Sequence, residues 1–138
     1  MIVTDTNVVA YLLLPGVQTE EARRALARDA AWAAPLLWRS EFRNVLRGYM
    51  RQRHLTLAKA RELQAAAEEL MAGREYPVES AAVLALAAAS GRSAYDCEFV
   101  ALSRALGVPL VTSDQDVLAS FPADAISLKD FGSGEPGA

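Results

Sequence analysis

The sequence has a single cysteine, Cys97, and a single histidine, His54, so it can build neither an internal disulfide nor a zinc site of thiolates and imidazoles. Cys97 is expected to be a small core residue, and His54, set among Arg51, Arg53 and Leu55, a surface one. No apolar run approaches the roughly 18–20 residues of a membrane-spanning helix. Met1 leads straight into a strand-like run rather than a basic and then apolar leader, so the expectation is a cytoplasmic protein without membrane contact. An excess of positive charge is also missing. With 14 Lys and Arg against 17 Asp and Glu, the net charge of -3 argues against holding nucleic acid by bulk electrostatics. Any attraction for RNA would have to come from a metal and from local arginines.

Apolar residues, in contrast, are plentiful. At 138 residues, 52% hydrophobic and 22% charged, the chain is too apolar for intrinsic disorder and long enough for one sizeable core, but not two. Ile2-Val3-Thr4 reads as a buried strand, and Val8 to Leu14 as a short helix ended by Pro15-Gly16. A helix from Thr19 to Arg28 follows, then a weak strand over Ala31-Trp32-Ala33-Ala34. Trp38, Phe42, Val45, Leu46 and Tyr49 recur at helical spacing, predicting an amphipathic helix from Leu37 to Arg53 with Trp32 and Trp38 in packing roles. Thr56 caps another helix through Met71. Tyr76-Pro77-Val78 is a brief strand, Ala81 to Ala89 a helix, and Ser93 caps a helix over Ala94 to Leu106, stopped by Gly107. Val108 to Thr112 is a strand, Ser113 to Ala119 a short helix and Ala125 to Leu128 a last strand. Residues 1–131 then form one domain, and residues 132–138 a flexible tail without core residues.

Strands alternating with helices predict a doubly wound α/β/α sandwich around a central, mostly parallel sheet of four to five strands. Ligands of such sheets bind beyond the carboxyl ends of the strands, near the switch point. Asp5 directly follows the first strand, and Asp114 follows the strand ending at Thr112, which puts both on that rim. Each also suits a helix N-cap, with Ser113 and Asp116 forming a capping-box pattern. Asp96 stands three residues after Ser93 and fits a capping box as well. Capping does not, however, predict a fourth acid. Glu41 lies at the border of its helix's apolar face, away from the stripe Arg39, Arg43, Arg47 and Arg51, where a carboxylate is costly unless paired or bound to a metal. Clustered carboxylates repel unless a cation neutralises them, and hard oxygen ligands suit Mg²⁺ or Mn²⁺. Phosphoryl transfer by metal-activated water is the chemistry that follows. The arginine stripe is either a solvated face or a set of phosphate contacts.

Four segments resemble, in order, the acidic motifs of the PIN-domain nucleases: Met1-Ile-Val-Thr-Asp5-Thr6-Asn7, Ser40-Glu41-Phe42-Arg43-Asn44-Val45-Leu46, Ser93-Ala94-Tyr95-Asp96-Cys97 and Leu110-Val111-Thr112-Ser113-Asp114. The resemblance spans roughly Met1 to Phe131. It implies a Mg²⁺- or Mn²⁺-dependent endoribonuclease with Asp5, Glu41, Asp96 and Asp114 as catalytic and metal ligands, and Asp116 as a further ligand. Thr6, Asn7 and Thr112 would have supporting polar roles, and Arg39, Arg43 and Arg47 would contact RNA. The short chain and the Asp-x-Asn opening look most like the VapC-type toxins of type II toxin–antitoxin modules. That likeness implies a homodimer, a small VapB-type antitoxin partner and a structured RNA substrate such as tRNA. Three rival readings are weaker. A haloacid-dehalogenase-like phosphatase needs a second Asp where Asn7 stands. A Mg²⁺-binding receiver-type signalling domain is matched by Lys129 but not by an acidic pair after the first strand. A non-catalytic scaffold has no reason to keep four mutually repelling carboxylates.

Overall fold

The computed structural model describes residues 1–134. Five strands form one sheet in the order β3-β2-β1-β4-β5, every neighbouring pair parallel. β1 (Ile2–Thr4) is central, flanked by β2 (Trp32–Pro35) and β4 (Leu110–Thr112); all ten residues of these strands are buried, as strands covered on both faces must be. The edges are β3 (Glu75–Tyr76) and β5 (Ala125–Ser127). The doubly wound sandwich is therefore present, with five strands and an entirely parallel sheet.

Chain order builds outward from β1 in one direction through β2 to β3, then returns to β1's other side for β4 and β5. Right-handed crossovers put the connections of the two directions on opposite faces. On one face stand α1 (Thr6–Leu13), α2 (Thr19–Arg28), α3 (Trp38–Arg51) and α4 (Leu57–Leu70), with α1 against α2 and α3. On the other are α5 (Ser80–Ser90) and α6 (Ala94–Leu106), and α6 packs across β1, β2 and β4. α7 (Gln115–Ser120) links β4 to β5. The order reverses between β1 and β4, which opens the crevice there.

The core is filled by the residues the periodicity selected. Trp38 and Phe42 of α3 are fully buried with ring centroids 6.2 Å apart, Trp32 of β2 is fully buried, Cys97 is buried and His54 exposed. Trp32 and Trp38 are thus core residues, unavailable for stacking on bases. Thr56 caps α4 by accepting from the Lys59 amide at 3.1 Å, and Ser93 caps α6 by accepting from the Asp96 amide at 3.0 Å. Gly107 ends α6 with φ +66°, a left-handed turn that a side chain would strain. No helix among the described residues is long and apolar enough to cross a membrane.

Several boundaries differ from the sequence expectation: β2, α3, α5 and β4 by one or two residues at an end, and others for reasons the structure shows. α1 begins at Thr6, because Asp5 rather than a later residue caps it. α7 is capped by Asp114, not Ser113. β3 stops before Pro77, which has no amide to donate to a ladder. The last strand ends at Ser127, whose hydroxyl caps a helix absent from the sequence reading, α8 (Leu128–Gly132). α8 packs on α2, where the Arg28 guanidinium lies 4.3 Å from the Phe131 ring centroid. Gly132 is buried, so the expected tail at 132–138 begins inside this helix; residues 135–138 lie outside the described residues.

Candidate active site

Two parallel strands end side by side at the switch point, and each hands the chain to a helix through an aspartate. Asp5 accepts the Val8 amide at Oδ1, 3.1 Å, capping α1, and Asp114 accepts the amides of Asp116 and Val117 at 2.9 and 3.1 Å, capping α7. The capping roles are real, and they fix the carboxylates at the carboxyl rim. Between them Thr112 acts twice: its hydroxyl donates to Asp5 Oδ2 and accepts from the Asp114 amide at 3.0 Å. β4 therefore holds both aspartates in one hydrogen-bonded chain.

The other two acids arrive from opposite faces. Glu41, in the first turn of α3, accepts from the Thr6 hydroxyl at 2.7 Å, which ties α3 to the start of α1. Asp96 comes from the first turn of α6. All four carboxylates line one open cavity of about 270 Å³, together with Thr6, Asn7 and Thr112. Asn44, Val45, Phe99, Leu110 and Val117 complete the walls and were not singled out from the sequence as site residues. Helical spacing from recognised residues was the available signal: Asn44 stands three positions after Glu41, and Phe99 three after Asp96.

Burial sets the electrostatics. Asp5 is pushed up to about 6 by desolvation, with the charges of Asp114 and Glu41 adding to the rise and the bonds from Thr112 and Val8 opposing it. Glu41 is raised by desolvation and by the charges of Asp96 and Glu98, against the Thr6 bond. Asp96 is raised by desolvation and by Asp114. Glu98, half-buried on α6, was missed, because nothing local in the sequence marks a residue that meets Glu41 only across two helices.

Two expected members stand apart. Asp116 is exposed, pairs with Arg92 at 3.3 Å and does not line the cavity. Arg39 is committed to the fold: its Nε and Nη2 grip Glu75 at 2.6 and 2.7 Å and its Nη1 reaches Glu68 at 2.9 Å, so its guanidinium is not offered to RNA. Arg43 donates to the Arg39 carbonyl at 3.1 Å and, with Arg47 and Arg51, stays exposed.

The donor set is all oxygen and mutually repelling, which fits a hard divalent cation. Among the described residues, however, no three acidic, histidine or cysteine side chains already meet at one ion position. The Thr6 hydroxyl holds Glu41 and the Thr112 hydroxyl holds Asp5, and the four like charges repel one another.

The model of the PIN domain family matches residues 2–122. Among solved structures, PAE2754 from Pyrobaculum aerophilum superposes with a TM-score of 0.76 at 19% identity, over 95% of this chain and 92% of that one. A toxin–antitoxin complex from Klebsiella pneumoniae gives 0.69 at 18% identity, over 93% and 98%. FitAcB from Neisseria gonorrhoeae gives 0.68 at 20% identity, over 93% and 98%. No curated protein matches the chain by sequence. At these identities the structural likeness speaks for the fold alone.

Proposed function

The chain belongs to the PIN domain family, and we propose that it is a divalent-metal-dependent endoribonuclease acting as the toxin of a type II, VapC-like toxin–antitoxin module. The observation that carries the nuclease reading is the gathering of Asp5, Glu41, Asp96 and Asp114 around one cavity at the switch point of the sheet. Burial makes the charges of Asp5, Glu41 and Asp96 costly there, and no salt bridge among the described residues neutralises any of the four carboxylates, a setting that suits a cation.

Asp5, Asp96, Asp114 and Glu41 would hold Mg²⁺ or Mn²⁺, which when bound neutralises their charge and polarises water and phosphate. The chain's own residues do the rest. Thr112 and the Val8 amide fix both oxygens of Asp5, so its orientation is set before substrate arrives. Thr6 engages Glu41 Oε1, leaving Oε2 to accept the proton of the attacking water as the new phosphorus–oxygen bond forms. Asn7 and Asn44 present amides at the cavity edge that can donate to phosphate or ribose oxygens. The bond to the leaving ribose oxygen breaks, and that oxygen takes up a proton from solvent.

The toxin assignment rests on the resemblance of the sequence motifs to the VapC-type toxins, and it accords with a fold shared with the Klebsiella toxin–antitoxin complex. It brings with it a small VapB-type antitoxin, a homodimer, a structured RNA such as tRNA and a cytoplasmic setting. Purified protein incubated with total RNA and Mg²⁺ or Mn²⁺ is expected to cut it, and EDTA, Asp5→Asn or Asp96→Asn to abolish cutting. Cleavage that persists in the variants would overturn the site. Growth arrest on expression alone, relieved by the neighbouring short reading frame, tests the toxin role separately.

A further inference from the structure

A second cavity, of about 310 Å³, lies between α1, the α1–α2 turn and α3, and it opens directly from the acidic one, since Asn7 and Val45 line both. Its chemistry is different. No carboxylate and no cation lines it. Its walls carry two tyrosines, Tyr11 and Tyr49, and two amide side chains, Asn7 and Gln18. Tyr49 is 40% exposed while Tyr11 is half-buried against the core. The far wall is stitched by the buried Thr19 hydroxyl, which donates to the Tyr11 carbonyl at 2.7 Å and accepts the Gly16 amide at 2.9 Å. The cavity is therefore preformed rather than a gap in loose packing.

The geometry points to this cavity as the subsite for the nucleobase next to the scissile phosphate, with Tyr49 as its stacking surface and Asn7 and Gln18 as its hydrogen-bonding edge. The assignment rests on the ribonuclease reading above. Three observations converge on it. Stacking on an aromatic ring suits any base, and amides offer both donors and acceptors to a base edge. The shared wall at Asn7 and Val45 makes the cavity the next place for a strand whose phosphate sits among the carboxylates. On the face of α3 turned away from Glu41, Arg47 and Arg51 are exposed, and no ion pair among the described residues engages either, so they are available to the phosphates of a strand that continues past that helix. A chain of net charge -3 gains little from bulk electrostatics, which leaves room for stacking to add to the hold of a metal and of local arginines on RNA.

The test uses two fluorescein-labelled 2′-O-methyl RNA 8-mers that resist cleavage, one of uridine and one with an abasic backbone, and reads binding to the full chain by anisotropy with Mg²⁺. The expected result is that the wild type prefers the uridine strand by about tenfold, that Tyr49→Ala loses most of this preference, and that Tyr49→Phe keeps it. Arg47→Glu with Arg51→Glu is expected to weaken both strands alike and to flatten the salt dependence. A Tyr49→Ala protein with the wild-type preference overturns the subsite, and so does a wild type that does not distinguish the strands, a result that would leave the groove to a protein partner. Failure of the ribonuclease reading shows elsewhere, as total RNA left uncut by the wild type with metal.

Discussion

The hydroxyl of Thr112 donates to Asp5 Oδ2 across 107 residues of sequence, and the same oxygen accepts the Asp114 amide. One side chain at the end of β4 thus orients the acid at the end of β1 and the backbone of the acid that follows it. Thr112→Val keeps the volume and removes both bonds. We expect it to cut the cleavage rate by about 10–100-fold with an intact fold, and Thr112→Ser to restore most of the loss. Equal rates for the valine variant and the wild type, measured on one RNA, would show that Asp5 needs no such support.

Asp5 titrates near 6 in the folded, metal-free protein against an ordinary 3.8. Between these values the folded state holds a proton that the unfolded chain has lost, so stability falls as pH rises from about 4 to 6 and stays lower above. The difference corresponds to about 2–3 kcal/mol. Asp5→Asn, which can still cap α1, is expected to raise the unfolding midpoint of EDTA-treated protein at pH 7.5 and to change it little at pH 4. Mg²⁺ should raise the wild-type midpoint more than that of the variant. An Asn variant no more stable than the wild type at pH 7.5 would place the charge in better-solvated surroundings than the cavity provides.

Arg39 and Arg47 were one stripe in the sequence, but the structure separates them. Arg39 closes a network with Glu75, Glu68 and, through Glu75, the indole of Trp38 at 2.7 Å. Arg39→Ala should lower the thermal midpoint while leaving the salt dependence of RNA binding unchanged. Arg47→Ala should do the reverse. Paired measurements of melting and salt-dependent binding decide between these roles.

Phe131 is buried against α2, and a Cβ at Gly132 would meet the Glu21 carbonyl oxygen at 3.0 Å. Phe131→Ala is expected to cost about 3–5 kcal/mol and Gly132→Val about 1–3 kcal/mol, read by urea unfolding, with the proposed RNA cleavage per folded molecule unchanged. A Gly132→Val protein as stable as the wild type would mean that α2 gives way easily.

Periodicity placed α3, composition α2 and α5, and the caps Thr56 and Ser93 α4 and α6, each to within a few residues, because helical spacing, helix-favouring composition and a Ser or Thr cap are local properties of the chain. The same holds for the three aspartates at strand or loop ends, whose position in the chain fixes the rim on which they stand. Glu41 was legible as an acid in the wrong place on its helix. What the chain alone did not contain were relationships between distant segments. Whether Arg39 faces solvent or Glu75, whether Asp116 reaches the cavity, and whether Leu128 ends a strand or begins α8 depend on which surfaces meet when the sheet and its helices pack. The energies that decide them, desolvation of a charge and close approach of two helices, come into existence only with that packing.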